Sequence, residues 1–154
     1  MNLNDIDNFF KAKTNDLTII SNNEEETLSF AKYIAQFLVT GDIFVLNGEL
    51  GAGKTLFTKG LASYYNLENN VSSPTFTIVN EYISNNINIY HFDLYKIKTI
   101  AEFENTIGLD YFEQGISIIE WGDVIYNILP KKTIKIDIQK QNETTRVFNF
   151  KRSV

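Results

Sequence analysis

The alternation of apolar and polar residues along the chain predicts short strands separated by helices. An apolar run at residues 17–20 predicts a strand, and the segment after it has apolar residues at the spacing of a helix that packs on a sheet. Residues 21–24, Ser-Asn-Asn-Glu, have the spacing of a capping box and predict where that helix begins. Residues 42–47 predict a second strand and residues 56–65 a second helix. The apolar positions of the first helix are Leu28, Ala31, Ile34, Ala35 and Leu38.

The second half of the chain predicts mostly strands. The sequence Ser-Ser-Pro-Thr at residues 72–75 interrupts the pattern, and Asn85-Asn86 supplies a hairpin turn between two strand-like runs at residues 77–82 and 87–92. The remaining predicted elements are a helical segment at residues 99–114, a buried strand at residues 116–119, a helix at residues 121–129 that Pro130 ends, and alternating strands at residues 133–139 and 146–150.

Residues 48–55 read Gly-Glu-Leu-Gly-Ala-Gly-Lys-Thr, a complete Walker A phosphate loop between a predicted strand and a predicted helix. In such a loop the backbone amides and the helix N-terminus converge on phosphate oxygens, Lys54 reaches the β and γ oxygens, and the Thr55 hydroxyl ligates Mg²⁺. The alternative is a glycine-rich turn without a ligand. We expect a nucleoside triphosphate site formed by Glu49, Leu50, Gly51, Ala52, Gly53, Lys54, Thr55 and Leu56.

The order of these elements predicts the fold class. Strands that alternate with helices around the loop indicate an α/β domain, and the strand pairs elsewhere indicate antiparallel margins. We expect one domain over residues 1–154, a P-loop NTPase-like three-layer sandwich. Its central mixed sheet should be parallel around the phosphate loop and antiparallel at the margins.

Two acidic residues qualify as the carboxylates that a Walker loop requires. Such a loop needs an acid that helps to hold Mg²⁺ and to orient water, at the carboxyl end of a neighbouring buried strand. Asp93 follows the run at residues 87–92, and Glu120 follows the run at residues 116–119. Two acids allow one to hold the metal and the other to contact the attacking water. The alternative for each is an acid that caps a loop or the next helix.

Three further residues have two interpretations each. Thr75 follows Pro74 at a place where switch segments sense the γ-phosphate or its Mg²⁺, or else it only begins a strand. Trp121, the only tryptophan, stacks on adenine or fills the core or an interface. For His91, the only histidine, we favour a structural, hydrogen-bonded role over a catalytic one.

Composition narrows the class of protein. The chain has no cysteine, which excludes disulfides and thiolate metal sites, and it shows neither a basic apolar signal at Met1 nor an apolar run of membrane length. We therefore expect a cytoplasmic protein that does not enter a membrane. The formal charge of −5 disfavours a wide nucleic-acid interface, and we expect no DNA binding.

Positive charge is concentrated near the C-terminus. Residues 130–154 carry seven basic side chains against two acidic ones, so this segment has a charge of +5 and the rest of the chain −10. Such a segment docks an acidic partner or RNA, or it is a solvated strand face, the interpretation that we favour. The only arginines, Arg146 and Arg152, lie there too. The chain therefore lacks the arginine-rich lid of a phosphotransferase, and we expect slow intrinsic hydrolysis.

Three later segments accompany the Walker loop. They are Ser-Pro-Thr-Phe-Thr-Ile-Val-Asn-Glu-Tyr at residues 73–82, Tyr-His-Phe-Asp-Leu-Tyr at residues 90–95, and Gly-Leu-Asp-Tyr-Phe at residues 108–112 with Ile-Glu-Trp at residues 119–121. Together with the loop, these segments resemble the bacterial tRNA threonylcarbamoyladenosine biosynthesis ATPase family, TsaE, also called YjeE. They follow the family's order and spacing over most of the chain. The loop alone is generic, but the combination is specific.

The resemblance implies a role for each residue of the site. Thr55 and Glu120 are expected to ligate Mg²⁺, and Trp121 is expected to lie by the nucleotide. The residues expected to act on the phosphates are Lys54, which holds them, Asp93, which lies near the γ-phosphate, and Thr75, a switch residue.

Two residues depart from the family's pattern. Lys96 stands where the family commonly has Arg, and Gly122 stands where it commonly has Pro. Lysine keeps the charge but loses the bidentate fork, which puts a planar contact to phosphate or to a partner carboxylate in doubt. Gly122 is expected to loosen the backbone beside Trp121.

The function that the resemblance implies is that of a small ATPase that does not itself transfer the threonylcarbamoyl group. It implies ATP and Mg²⁺ as cofactors, a complex of TsaD and TsaB as the partner, and tRNA only indirectly through that complex. ATP binding and hydrolysis would keep the complex turning over during modification of the adenosine next to the anticodon. The rivals are a small-molecule kinase, which the scarcity of arginine disfavours, and a scaffold that binds ATP but barely hydrolyses it.

Overall fold

The computed structural model describes residues 1–153 of the chain. Within this range four α-helices and seven strands form the fold. The helices are α1 (Leu3–Phe10), α2 (Glu24–Ala35), α3 (Lys54–Ser63) and α4 (Ile100–Thr106). The strands are β1 (Asp16–Ser21), β2 (Ile43–Asn47), β3 (Val79–Ile83), β4 (Asn88–Asp93), β5 (Ile116–Glu120), β6 (Ile134–Lys140) and β7 (Arg146–Arg152).

The seven strands form one mixed sheet in the order β1-β7-β6-β2-β5-β4-β3. The four central strands, β6, β2, β5 and β4, are parallel to one another. At one margin β3 pairs antiparallel with β4, and at the other β7 pairs antiparallel with both β6 and β1. The prediction of a parallel centre with antiparallel margins is confirmed.

Apolar side chains pack on both faces of the sheet. On β2, Phe44 and Leu46 join a cluster with α1, α2 and α3, whereas Ile43 and Val45 pack on the opposite face with α4. Because β2 is buried on both faces, its sequence is a continuous apolar run, which is why the strand is recognisable from the sequence. The result is the predicted three-layer α/β sandwich.

The register of the parallel strands brings three carboxyl ends together. Leu46 of β2 pairs with Glu120 of β5, and Glu120 pairs in turn with Asp93 of β4. The phosphate loop leaves β2 directly after this row. The fold therefore positions the loop and both predicted acids at one edge of the sheet, where open α/β sheets bind ligands.

The predicted start of α2 is wrong by two residues. Asn23 caps the helix, since its side chain accepts a hydrogen bond from the Glu26 amide at 2.9 Å, and the Glu26 carboxylate accepts from the Asn22 amide at 2.7 Å. Ser21 is instead the fully buried last residue of β1, and its hydroxyl lies 2.7 Å from that of Thr27. Burial at the end of the strand thus excludes Ser21 from the capping role.

Helix α1 does not figure in the sequence prediction, although its pattern is visible. Ile6 and Phe9 are fully buried and three residues apart, and the Asn2 side chain caps the helix by accepting from the Asn4 amide.

None of the helices within residues 1–153 has the length and apolar character that crossing a bilayer requires.

Two predicted helices are shorter or of another type. The segment at residues 99–114 divides into α4 and a 3₁₀ turn, Leu109–Glu113, because Gly108 breaks it with φ of +78°. The predicted helix at residues 121–129 is two 3₁₀ turns, Gly122–Val124 and Tyr126–Ile128. Apolar residues three apart are compatible with both helix types, so this spacing did not separate them.

Candidate functional site

The phosphate loop joins β2 to α3 through two glycines in left-handed conformations. Gly51 has φ of +81° and Gly53 has φ of +110°, values that residues with a side chain rarely adopt. A Cβ at either position would have nothing within 4 Å, so space for a ligand is open beside both. Gly48 is required for a different reason, because a Cβ there would lie 2.9 Å from the Cβ of Ala52. The loop is thus tightly packed at Gly48 and open to a ligand at Gly51 and Gly53, as expected of a phosphate-binding loop.

Lys54 bends back over this loop. Its Nζ donates to the carbonyl oxygens of Gly48 and Glu49, the latter at 3.4 Å, and it lies 4.0 Å from Glu120 Oε1. The side chain of Lys54 is only 12% exposed. The positive charge is therefore held between the loop and the predicted metal-binding acid.

Asp93 and Glu120 both line the cleft above the loop, but they have different partners. Asp93 Oδ1 accepts from the Tyr95 amide at 3.0 Å, so this residue also caps the turn after β4, as its alternative interpretation predicted. Glu120 Oε2 lies 2.7 Å from His91 Nε2, while Glu120 Oε1 is the oxygen nearest Lys54. The fully buried His91 is hydrogen-bonded, which agrees with its predicted structural role.

Thr75 lies in an exposed segment before β3 that reaches the same cleft. Its hydroxyl lies 2.8 Å from that of Ser73, and β3 begins only at Val79, so the interpretation of Thr75 as the start of a strand is wrong. Ile78 has φ of +66°, which is an outlier for a β-branched residue. Its carbonyl accepts from the Asp93 amide at 2.7 Å, which ties the segment to the acidic edge.

Trp121 is an exposed residue at the rim of the cleft. It is 55% exposed, so the interpretation as a core residue is wrong. Its ring packs edge-on against Tyr95 at 5.0 Å between centroids, and its φ of +58° is a strained value for a bulky residue. Contact with adenine stays a prediction.

One cleft of about 690 Å³ contains every residue predicted for the site. A second cleft of about 650 Å³ lies against the other side of Trp121 and the loop, lined by Tyr95, Ile97 and Val124 among others. The predicted residues that line the first cleft are Glu49, Leu50, Gly51, Ala52, Gly53, Lys54, Thr55, Leu56, Thr75, Asp93, Glu120 and Trp121.

The sequence interpretation missed two groups that line the same cleft. One is the start of α2, and the other is the hairpin between β6 and β7 with Arg146. Arg146 Nη2 donates to the Gly51 carbonyl at 3.3 Å, across 95 residues of sequence, and Nη1 donates to the Asn142 carbonyl at 2.8 Å. The other arginine, Arg152, donates to the Phe9 carbonyl away from the cleft. The residues missed are Asn23, Glu24, Glu25, Thr27, Glu143, Thr144 and Arg146.

The side-chain oxygens in the cleft fit a Mg²⁺ ion that is bound together with a nucleotide. Within residues 1–153 no group of three or more His, Cys, Asp or Glu residues is arranged to hold a metal. Mg²⁺ is usually bound through one or two protein oxygens together with substrate phosphates. Thr55 and Glu120, which line the cleft beside the phosphate loop, match that need for few protein ligands.

Comparison with known proteins identifies the family. The family described as "Threonylcarbamoyl adenosine biosynthesis protein TsaE" matches residues 21–148. The chain belongs to the TsaE family.

Several relatives carry the TsaE name. The tRNA threonylcarbamoyladenosine biosynthesis protein TsaE of Bacillus subtilis (strain 168) is 41% identical over 130 residues, which are 83% of this chain and 80% of the relative. The protein of the same name from Rickettsia felis is 38% identical over 84% of this chain and 76% of its own length. The crystal structure of Bacillus subtilis YdiB superposes with a TM-score of 0.72 at 35% identity, covering 90% of this chain and 86% of that one.

The TsaE match contains the whole candidate site, from the start of α2 to Arg146, while α1 precedes it.

Of the two departures from the family's pattern, Lys96 is exposed beside the turn that follows Asp93. Gly122 is buried, and a Cβ there would lie 3.0 Å from side-chain carbons of Ile119 and Val45. The backbone beside Trp121 is therefore closely packed on the sheet, and the expected loosening by Gly122 stays a prediction.

Proposed function

We propose that this chain is a Mg²⁺-dependent ATPase of tRNA threonylcarbamoyladenosine biosynthesis in the cytoplasm. It supports turnover of a complex of TsaD and TsaB and does not itself transfer the threonylcarbamoyl group. The observation that carries the proposal is the convergence of Lys54, Asp93 and Glu120 on one cleft with the phosphate loop. The names of its relatives support the pathway.

The residues of the loop bind and orient the phosphates. Lys54 exchanges its hydrogen bonds to the Gly48 and Glu49 carbonyls for phosphate oxygens, which are stronger, charged acceptors. Thr55 and Glu120 are the residues that would hold Mg²⁺. When bound, that ion neutralises the charge that develops on the phosphate oxygens.

Asp93 is the residue that orients the attacking water. Its Oδ1 is fixed by the Tyr95 amide, which leaves Oδ2 to accept a hydrogen bond from water in the cleft. Thr75 lines the cleft from the segment before β3, so contact with the phosphate end of the nucleotide would order this segment. Hydrolysis would therefore change the surface around Thr75.

Partner contact would complete the catalytic site. Arg152 donates to the Phe9 carbonyl away from the cleft, so Arg146 is the only arginine of the chain that lines it, and this residue already donates to carbonyls of the phosphate loop and of the β6–β7 hairpin. An arginine supplied by a partner accelerates hydrolysis by about 10³- to 10⁵-fold in other phosphate-loop enzymes. Leu50 in the loop is 99% exposed and Phe76 is 93% exposed, as expected of side chains that a protein partner covers. Contact with tRNA is indirect, through that partner.

The test is phosphate release from ATP by the chain alone, with TsaD and TsaB added, and with small-molecule acceptors added. We expect slow Mg²⁺-dependent release that TsaD and TsaB accelerate, and no dependence on an acceptor. The Lys54→Ala variant should lose the stimulated rate, while Lys59→Ala, an exposed lysine of the same helix, should keep it. Phosphate transfer to an acceptor would support a kinase, and no release with partners present would support a scaffold.

A further inference from the structure

Three buried side chains form a hydrogen-bonded chain behind the cleft. His91 Nε2 lies 2.7 Å from Glu120 Oε2, and His91 Nδ1 lies 3.2 Å from the hydroxyl of Tyr82. That hydroxyl also contacts the backbone of Ser72, at 3.3 Å from its amide nitrogen and 3.1 Å from its carbonyl oxygen. Tyr82 and His91 are 2% and 0% exposed, so solvent does not compete for the two contacts of His91. These hydrogen bonds link Glu120 to the segment that carries Thr75.

The sheet accounts for the course of this chain. Tyr82, His91 and Glu120 lie on β3, β4 and β5, which are adjacent strands. Each side chain reaches the one on the next strand, so one residue from each strand is sufficient to cross this part of the sheet. Because β3 is the edge strand and follows residues 72–77, this series of hydrogen bonds ends at that exposed segment.

The hydrogen bond between His91 and Glu120 has a defined direction. A carboxylate accepts hydrogen bonds, so His91 donates from Nε2 to Glu120. The Tyr82 hydroxyl accepts from the Ser72 amide, and its single proton is within reach of both the Ser72 carbonyl at 3.1 Å and His91 Nδ1 at 3.2 Å. Removal of a link leaves a buried polar atom without its partner, which makes the arrangement sensitive to each of its members.

Ser72, at the end of this series of hydrogen bonds, is held by few other contacts. The Asn80 side chain donates to the Ser72 carbonyl at 3.3 Å and lies 3.2 Å from the Ser72 hydroxyl. Beyond Ser72 the segment is bonded within itself through Ser73 and Thr75, and Thr75 is exposed. Tyr82 is therefore one of two side chains of β3 that fix the position of Ser72.

We infer that Tyr82 and His91 are positioning residues that couple the orientation of the Glu120 carboxylate to the position of residues 72–75. His91 fixes Oε2 and leaves Oε1 toward Lys54, where the metal ligand is needed. The inference rests on the proposed function, in which Glu120 holds Mg²⁺. Loss of such a supporting contact typically lowers metal affinity or activity by about 10- to 100-fold.

Two substitutions of His91 separate its contact with Tyr82 from its contact with Glu120. His91→Asn places an amide near the position of Nδ1, where it contacts Tyr82 but cannot reach Glu120. His91→Gln places an amide near Nε2, where it contacts Glu120 but not Tyr82. Tyr82→Phe removes only the hydroxyl. The matched control is Tyr90→Phe, which removes a tyrosine hydroxyl from β4 on the opposite face of the sheet.

The first measurement is the Mg²⁺ dependence of ATP binding, followed by calorimetry. We expect His91→Asn to raise the Mg²⁺ concentration needed for half-maximal affinity by about 10- to 100-fold. The His91→Gln and Tyr90→Phe variants should stay close to the native chain, because the contact with Glu120 is kept in both.

The second measurement is amide hydrogen exchange of peptides that cover residues 72–77. Without nucleotide, exchange should be faster in Tyr82→Phe, which loses the contacts with Ser72, and in His91→Gln, which removes the contact of the Tyr82 hydroxyl with His91 Nδ1, and native in Tyr90→Phe. Addition of Mg²⁺ and ATP should change exchange of this segment in the native chain and in the control, and change it less in Tyr82→Phe.

Equal Mg²⁺ dependence of His91→Asn and His91→Gln, or native exchange in Tyr82→Phe, would overturn the coupling. If a His91 variant lacks the native circular dichroism spectrum, Tyr82→Phe decides the matter alone. Neither measurement requires turnover. A native chain that binds Mg²⁺ and ATP without hydrolysing ATP would therefore refute the proposed function and leave the coupling supported or refuted on its own result.

Discussion

Asp93 and Glu120 lie opposite each other at the carboxyl ends of β4 and β5, in one row of the parallel register. Both line the cleft of the phosphate loop. Asp93 accepts a hydrogen bond from the backbone of Tyr95, whereas Glu120 contacts His91 with one oxygen and lies 4.0 Å from Lys54 with the other. Two carboxylates with different partners in one cleft are suited to different tasks.

The amide variants of the two acids should fail in different ways. Each amide keeps one oxygen as an acceptor, so the contacts with His91 and with the Tyr95 backbone survive. Glu120→Gln should raise the Mg²⁺ concentration needed for ATP hydrolysis by about tenfold or more, because the metal loses a charged ligand. Asp93→Asn should lower the rate at saturating Mg²⁺ by about 10²-fold or more while ATP still binds. Identical Mg²⁺ titrations for the two variants would contradict this division.

Trp121 should report nucleotide binding directly. Its indole is half-exposed at the rim of the cleft, and it is the only tryptophan, so its fluorescence should change when ATP or ADP is added to the native chain. Trp121→Ala should weaken ATP binding by about tenfold, and Trp121→Phe by less, because a ring remains to stack on the base. A flat fluorescence titration with unaltered affinity in Trp121→Ala would assign the residue to an interface.

Arg146 should contribute to ATP affinity through the tip of the loop. Its guanidinium donates to the Gly51 carbonyl and to carbonyls of the β6–β7 hairpin, so it ties the hairpin to the phosphate loop. We expect Arg146→Ala to lower ATP affinity about tenfold, which corresponds to about 1.4 kcal/mol. The control is Lys151→Ala, an exposed basic residue of the same strand. Equal affinities of the two variants in a calorimetric titration would exclude this role.

Gly60 should be required for the packing of α3 on α2. A Cβ at this position would lie 2.6 Å from the Cβ of Ala31 and 3.0 Å from the Leu28 carbonyl oxygen. Alanine gains about 1 kcal/mol over glycine in a helix, whereas overpacking costs about 1–3 kcal/mol or more. Because backbone is among the contacted atoms, we expect Gly60→Ala to lower the free energy of unfolding in urea. The adjacent exposed Lys59→Ala should leave that free energy within about 0.5 kcal/mol of native, and a stabilised Gly60→Ala would contradict the packing.

Much of the site could be predicted because its parts are local in sequence. The phosphate loop is one continuous motif, and both acids follow apolar runs that belong to strands buried on both faces. A parallel sheet brings the ends of such strands to the same edge, so Asp93 and Glu120 had to meet near the loop.

Other parts of the site depend on contacts that the sequence does not encode locally. The bond from Arg146 to Gly51 arises only because β7 folds back beside β6, which positions the hairpin over the loop. The burial of the Lys54 side chain, which is only 12% exposed, also depends on the folded loop and on Glu120 from another strand. The missed helix α1 is a different case. Ile6 and Phe9 showed the helical spacing, but the helix has only eight residues, so its apolar pattern is short.

The most direct test of the account is the number of tRNA modifications made by each TsaD–TsaB complex. The native chain should sustain many rounds in the presence of ATP, and so should Lys59→Ala, which changes an exposed lysine of the same helix. Lys54→Ala should stop after about one round, because the variant lacks the charge that holds the phosphates. Repeated rounds with Lys54→Ala at the native rate would contradict an ATP-driven role of this chain in the pathway.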